Sequence, residues 1–178
     1  MKRPRALTIL ALMITVSGCS QSEEPERAFK VPDSLCGTPV PPDLLSPLLP
    51  AGGEKLEMKA APRAAASASS CHLTVDGSAV LSSFWEWRIE TDLAKVARSN
   101  PYVNLGTHKG KDGTYVYADK GGVSHVTCEP VQVSLKEGGK MYARIIVSDK
   151  GRPDAAASEN LIRSYAKALE KLPECVQK

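Results

Sequence analysis

Residues 141–172, MYARIIVSDKGRPDAAASENLIRSYAKALEKL, hold two apolar periods side by side. Met141, Ala143, Ile145 and Val147 alternate with their neighbours, the two-residue period of a strand with one buried face. Beyond Pro153 the period changes. Leu161, Ile162, Tyr165, Ala168, Leu169 and Leu172 recur at three- and four-residue steps, which predicts one apolar stripe along a helix. Asp154 is placed to cap its first turn and Pro173 to stop it. A strand leading into an amphipathic helix needs a sheet for the helix to cover, so the expected class is α+β.

Strand signals extend upstream. In residues 80–89 (VLSSFWEWRI), Leu81, Trp85, Trp87 and Ile89 share one parity, and Glu86 and Arg88 take the other. Residues 71–75 form a shorter strand ending at the turn pair Asp76-Gly77, and Asp112-Gly113 marks a second hairpin. Strands are expected at 102–108, 114–118 and 123–128. The inward parity flips at Pro130, which predicts a bulge between 128 and the strand signal of Val131, Val133 and Leu135. Thr91 is the expected cap of a short helix over 92–98, stopped by Asn100-Pro101. Residues 34–50 carry Pro39, Pro41, Pro42, Pro47 and Pro50, which allow one or two helical turns whose leucines cover an edge of the core. Residues 60–70 (AAPRAAASASS) read as a loop. Together these give a mostly antiparallel sheet of five or six strands, with the C-terminal helix packed on one face.

The chain has 178 residues, 42% hydrophobic and 24% charged, a balance that excludes a disordered tail and a membrane bundle. Its net charge of +3 comes from Lys2, Arg3 and Arg5; without residues 1–18 there are 20 basic and 20 acidic residues. A neutral chain is a poor partner for nucleic acid, so no nucleic acid is expected.

Those basic residues open a distinctive N-terminus. An apolar run over 6–16 (ALTILALMITV) is too short to span ~30 Å of hydrocarbon and has the length of a signal-peptide core. Val16-Ser17-Gly18-Cys19 follows at once. Small residues before a cysteine at this position resemble the lipobox of bacterial lipoproteins. The resemblance implies cleavage before Cys19 and a diacylglyceryl group, with palmitate-type chains, on its thiol. Two acyl chains make a stable anchor. Residues 1–18 are then the signal peptide, 19–33 the lipidated cysteine and a polar tether, and 34–178 the folded domain.

Lipidation of Cys19 leaves Cys36, Cys71, Cys128 and Cys175, an even number suited to an oxidising compartment. Three pairings are possible. Sequence order favours Cys36–Cys71 with Cys128–Cys175, each closing a moderate loop, and the second would staple the helix end to a strand. No Cys-x-x-Cys occurs, which leaves zinc ribbons and thioredoxin-like chemistry unsupported.

Catalytic constellations are thin. The chain lacks Gly-x-Ser-x-Gly, and Ser124 and His125, adjacent on a strand, should face opposite ways. His72, His108 and His125 share no metal-ligand spacing. Residues 109–113 read as a charged hairpin tip rather than a phosphate loop, and Glu86 and Glu90 as solvent-face charges. No catalytic residue, metal or cofactor is therefore expected. Two aromatic pairs remain: Trp85 with Trp87, and Tyr115 with Tyr117, each sharing a strand face. Rings on a rigid strand can stack on a glycan or similar ligand, which makes Trp85 and Trp87 the candidate ligand-binding residues; the other reading buries both in the core.

Beyond the lipobox, Cys36, Cys71 and the helix ending near Leu172-Pro173 resemble small cell-envelope lipoproteins of actinomycetes. That resemblance implies a lipid-anchored protein on the extracytoplasmic face of the cell membrane. Its partners are the membrane, through Cys19, and an envelope component or protein. The reading is a non-catalytic binding or interaction module; the alternative is a small envelope hydrolase or transferase.

Overall fold

The computed structural model describes residues 26–61, 68–90, 92–128, 139–173 and 175. It opens with a small hairpin, β1 (Ser34–Leu35) and β2 (Thr38–Pro39), then α1 (Pro42–Leu45) and a 3-10 turn, Ser46–Leu48. Three strands follow: β3 (Leu56–Ala60), β4 (Ala68–Val75) and β5 (Ser78–Arg88). A short helix α2 (Leu93–Ala97) leads to β6 (His108–Lys109), β7 (Tyr115–Ala118) and β8 (Gly121–Val126). The chain ends in β9 (Lys140–Val147) and α3 (Ala155–Leu169).

Strands β3 to β9 form one sheet in the order β3-β4-β5-β9-β8-β7-β6, antiparallel throughout. The two longest pairings meet at its centre, where β5 lies beside β9. Between β5 and β9 in sequence, α2 and strands β6, β7 and β8 supply the far half of the sheet. Turn chemistry fixes two hairpins. Asp76 and Gly77, at φ 49° and 77°, make the two-residue connection of β4 to β5. Cys36 and Gly37, at φ 48° and 94°, do the same between β1 and β2. Both pairs have the positive φ that a two-residue hairpin with matching twist requires.

One face of the sheet is the main core. Leu73, Leu81, Trp85, Met141, Ala143, Ile145 and Val147 lie buried beneath Leu161, Ile162, Tyr165 and Leu169 of α3, with Leu45, Leu48 and Leu49 filling the remainder. The Asp154 carboxylate accepts from Ala157 N at 2.7 Å, capping α3 as its sequence predicts. A smaller core lies on the opposite face, where Val96, Ala97 and Leu105 cover Val116, Val123 and Tyr142. The structure is thus α+β with the last helix packed on the sheet.

Several details differ from expectation. Among the described residues the main sheet has seven strands, not five or six. The unexpected one is β3, whose LEMKA sequence has few strong strand formers and two charges; it pairs along β4 as an edge strand, and edges carry such charges well. The strand expected at 102–108 is only His108–Lys109. Ile89 lies past the end of β5 and is 64% exposed rather than inward. Asp92, not Thr91, caps α2, accepting from Ala94 N at 2.9 Å. A register shift occurs between Leu73 and Thr74, letting Val80 and Leu81 both turn inward. The bulge expected at Pro130 and the strand signal of 131–135 lie outside the described residues.

The N-terminal boundary also lies earlier than residue 34. The Arg27 guanidinium donates to Ser46 Oγ, to the Ser46 and Leu49 carbonyls and to the Pro50 carbonyl. Phe29 and Val31 pack against the main core. Part of the expected tether therefore belongs to the folded body.

Candidate functional site

A recess with a volume of about 560 Å³ runs beside the outward side of α3. Its helix wall is Asn160, Arg163, Ser164 and Lys167, which recur at three- and four-residue steps on the side turned from the core. Across from them stand Asp112 and Thr114 of the β7 hairpin tip, then Ser124 of β8. At 1.5 Å per residue, the wall from 160 to 170 runs about 15 Å.

Local structure holds each wall in place. Asp112 accepts from Thr114 N at 3.0 Å and from Thr114 Oγ1 at 2.8 Å, closing the tip; these bonds hold its carboxyl below the usual range. Tyr115 forms the floor. Its hydroxyl donates to Glu159 Oε1 at 2.6 Å, and the Arg163 guanidinium lies 5.6 Å over its ring. The bond to Glu159, then burial, pushes the phenol upward, so it stays a donor. Gly110 lies against the same ring, where a Cβ would come within 2.3 Å of it. Tyr117 continues the aromatic row, 6.1 Å from Tyr115 and stacked on His108 at 5.1 Å.

The result is a polar groove. Hydroxyls (Thr114, Ser124, Ser164), an amide (Asn160), two cations (Arg163, Lys167) and two carboxylates (Asp112, Glu170) line it. Such a surface offers hydrogen-bond donors and acceptors and charges of both signs.

The tryptophans named from the sequence lie elsewhere. Trp85 and Trp87 are 4% and 8% exposed, on the β5 face that belongs to the main core. Trp85 does border a smaller recess of about 270 Å³, shared with Tyr165, Thr38, Pro173 and the Cys36–Cys71 pair. The four cysteines are brought together two by two: Cys36 with Cys71 at a Cα separation of 5.7 Å, and Cys128 with Cys175 at 4.8 Å. Cys19 lies outside the described residues.

Other chemical candidates serve structure. Ser124 is buried on the α3 side of β8, whereas the His125 ring stands edge-on to Tyr142 on the other side, 5.8 Å away. The two do not form a nucleophile–base pair. Glu86 Oε1 accepts from Arg88 at 3.1 Å and from Arg144 at 3.0 Å. Glu90 accepts from Asp92 N and pairs with Lys95. His72 Nδ1 lies 2.9 Å from Ser82 Oγ, and His108 stacks on Tyr117. Among the described residues no three metal-ligating side chains converge. No helix among them is long and apolar enough to cross a membrane.

Sequence reasoning reached Tyr115 as half of an aromatic pair but missed Asn160, Arg163, Ser164 and Lys167. Their spacing was readable as the polar side of the helix; that a hairpin tip stands opposite them was not. Comparison with family models, with curated proteins and with solved structures finds no match.

Proposed function

We propose that this chain is a lipoprotein anchored through Cys19 to the extracytoplasmic face of the cell membrane, and that its folded part is a non-catalytic binding module of the cell envelope. The observation that carries the reading is the cysteine pairing. Cys36–Cys71 and Cys128–Cys175 account for four of five cysteines and suit an oxidising compartment. The fifth is the one that follows Val16-Ser17-Gly18. The groove along α3 supports the binding part of the reading, since its donors and acceptors suit a polar envelope component.

Expression of the wild type and of Cys19→Ser in a bacterial host tests the anchor. Mass spectrometry of the wild-type N-terminal peptide is expected to show a diacylglyceryl group on Cys19. The variant is expected to leave the membrane fraction or to remain unprocessed. A variant that stays membrane-bound and is cleaved at the same bond overturns the reading.

A further inference from the structure

The point where the chain enters the fold and the groove lie at opposite ends of the sheet. Ala28 N donates to the Gly53 carbonyl at 2.9 Å, and a Cβ on Gly53 would strike Val75 and approach Asp76. Entry is thus beside the β4–β5 turn. The other turns at this end are gathered by backbone bonds: Val147 N to the Lys120 carbonyl, Ser148 N to that of Val80, and Arg152 N to that of Leu48. From here β5 runs eleven residues, about 36 Å, to Arg88, whose partner is Lys140. Helix α3 also starts at this end, where Ser158 Oγ donates to the Asp119 carbonyl. The groove lies along its later turns and the hairpin tip at 110–114, toward the far end.

Eight residue steps separate Cys19 from the Arg27 clamp. Whatever their conformation, they span at most about 28 Å, less than the length of the sheet. Resting on the lipid-anchor reading, we propose that the turn end, residues 76–77, 119–120 and 148–152, lies against the lipid headgroups and that the groove faces away from the bilayer. Its surface chemistry fits that occupant. Lys120 pairs with Asp149, Lys150 and Arg152 are exposed, and Asp76 and Asp119 add acceptors. Leu48, Leu49 and Val80 at the same end are buried. A polar surface of both signs rests on hydrated headgroups, and among the described residues the exposed large hydrophobics, Ile89 and Tyr102, lie away from this end. The groove's ligand then comes from the wall or aqueous side, not from a lipid of the same membrane.

Amine acetylation of the lipidated protein on phosphatidylcholine–phosphatidylglycerol vesicles tests this. The comparison is a variant with about twenty Gly and Ser residues inserted after Ser20, which frees the domain from the surface. Lys120 and Lys150 are expected to react several-fold more slowly in the wild type than in the long-leash variant, with Lys109 and Lys167 equal in both. Equal rates at Lys150, or slowing at Lys167, overturn the orientation alone. Flotation before labelling separates the two readings: a wild-type chain that does not float with vesicles removes the anchor, and the orientation with it.

Discussion

The hydroxyl of Tyr115 donates to the carboxylate of Glu159 at 2.6 Å and so ties the β7 hairpin to α3. The bond spans 44 positions in sequence and sets the groove's floor against its helix wall. Tyr115→Phe keeps the ring and removes the donor. Thermal or urea unfolding is expected to show a loss of about 1.5–3 kcal/mol, the range for a bond to a charged group. An unchanged midpoint would mean that solvent replaces the hydroxyl and that the hairpin is held by packing alone.

Replacing Cys128 and Cys175 by Ser releases the segment beyond α3 from the strand end at Cys128. A cost of about 2–5 kcal/mol is expected, with faster amide exchange in the last turn of α3. Peptide mapping without reductant checks the connectivity directly, and a Cys36–Cys128 or Cys36–Cys175 peptide would contradict it.

Trp85→Ala empties a site with 4% exposure between the sheet and α3. The expected loss is about 3–5 kcal/mol, enough to unfold a marginal domain. Trp85→Phe should retain most of the stability. A stable, well-folded alanine variant with impaired ligand binding would return Trp85 to the binding site.

Burial, reinforced by Lys140 and partly opposed by Glu170, lowers the His125 pKa below its ordinary value near 6.5. The unfolded chain therefore takes up a proton at a higher pH than the folded one. His125 contributes stability that is fully present above the unfolded pKa and is lost as pH falls through the lower folded pKa. Urea titrations at pH 7.5 and pH 5 should show a smaller drop for His125→Gln than for the wild type. Equal drops in both proteins would assign the acid sensitivity to other groups.

Reversing Arg163 and Lys167 to Glu changes the sign of the groove's helix wall. Both side chains are exposed, but the change removes the Arg163 cation from the Tyr115 ring and puts acids in the later turns of α3, so a loss of about 1–2 kcal/mol is expected in a chain that still folds. Retention of envelope material on immobilised protein should fall markedly. If the double variant retains the same material equally well, the groove is not the contact surface.

Where one period ran unbroken, the fold was legible. Strand β9 showed its inward set as Met141, Ala143, Ile145 and Val147, and α3 showed its stripe and its Asp154 cap. Asp76-Gly77 marked its hairpin because few other residue pairs accept positive φ twice. Strand β3 was hidden because Glu57 and Lys59 alternate with only Leu56, Met58 and Ala60, a pattern equally suited to a loop. The pairing of β5 with β9 was hidden for another reason: no local signal says which strands meet across the intervening residues 89–139. The groove suffered the same limit. Arg163 and Lys167 read as any solvated helical side until the hairpin tip is placed opposite them.

The two disulfides do not interleave: of the four bonded cysteines, the first pairs with the second and the third with the fourth, Cys36 with Cys71 and Cys128 with Cys175. A chain oxidised as it emerges N-terminus first would therefore form its native bonds in order. On the reading that Cys19 carries a lipid, Cys71 meets only Cys36, and both are consumed before Cys128 arrives. Early bonds would then be native ones with nothing for an isomerase to correct, and yield should follow the supply of oxidant.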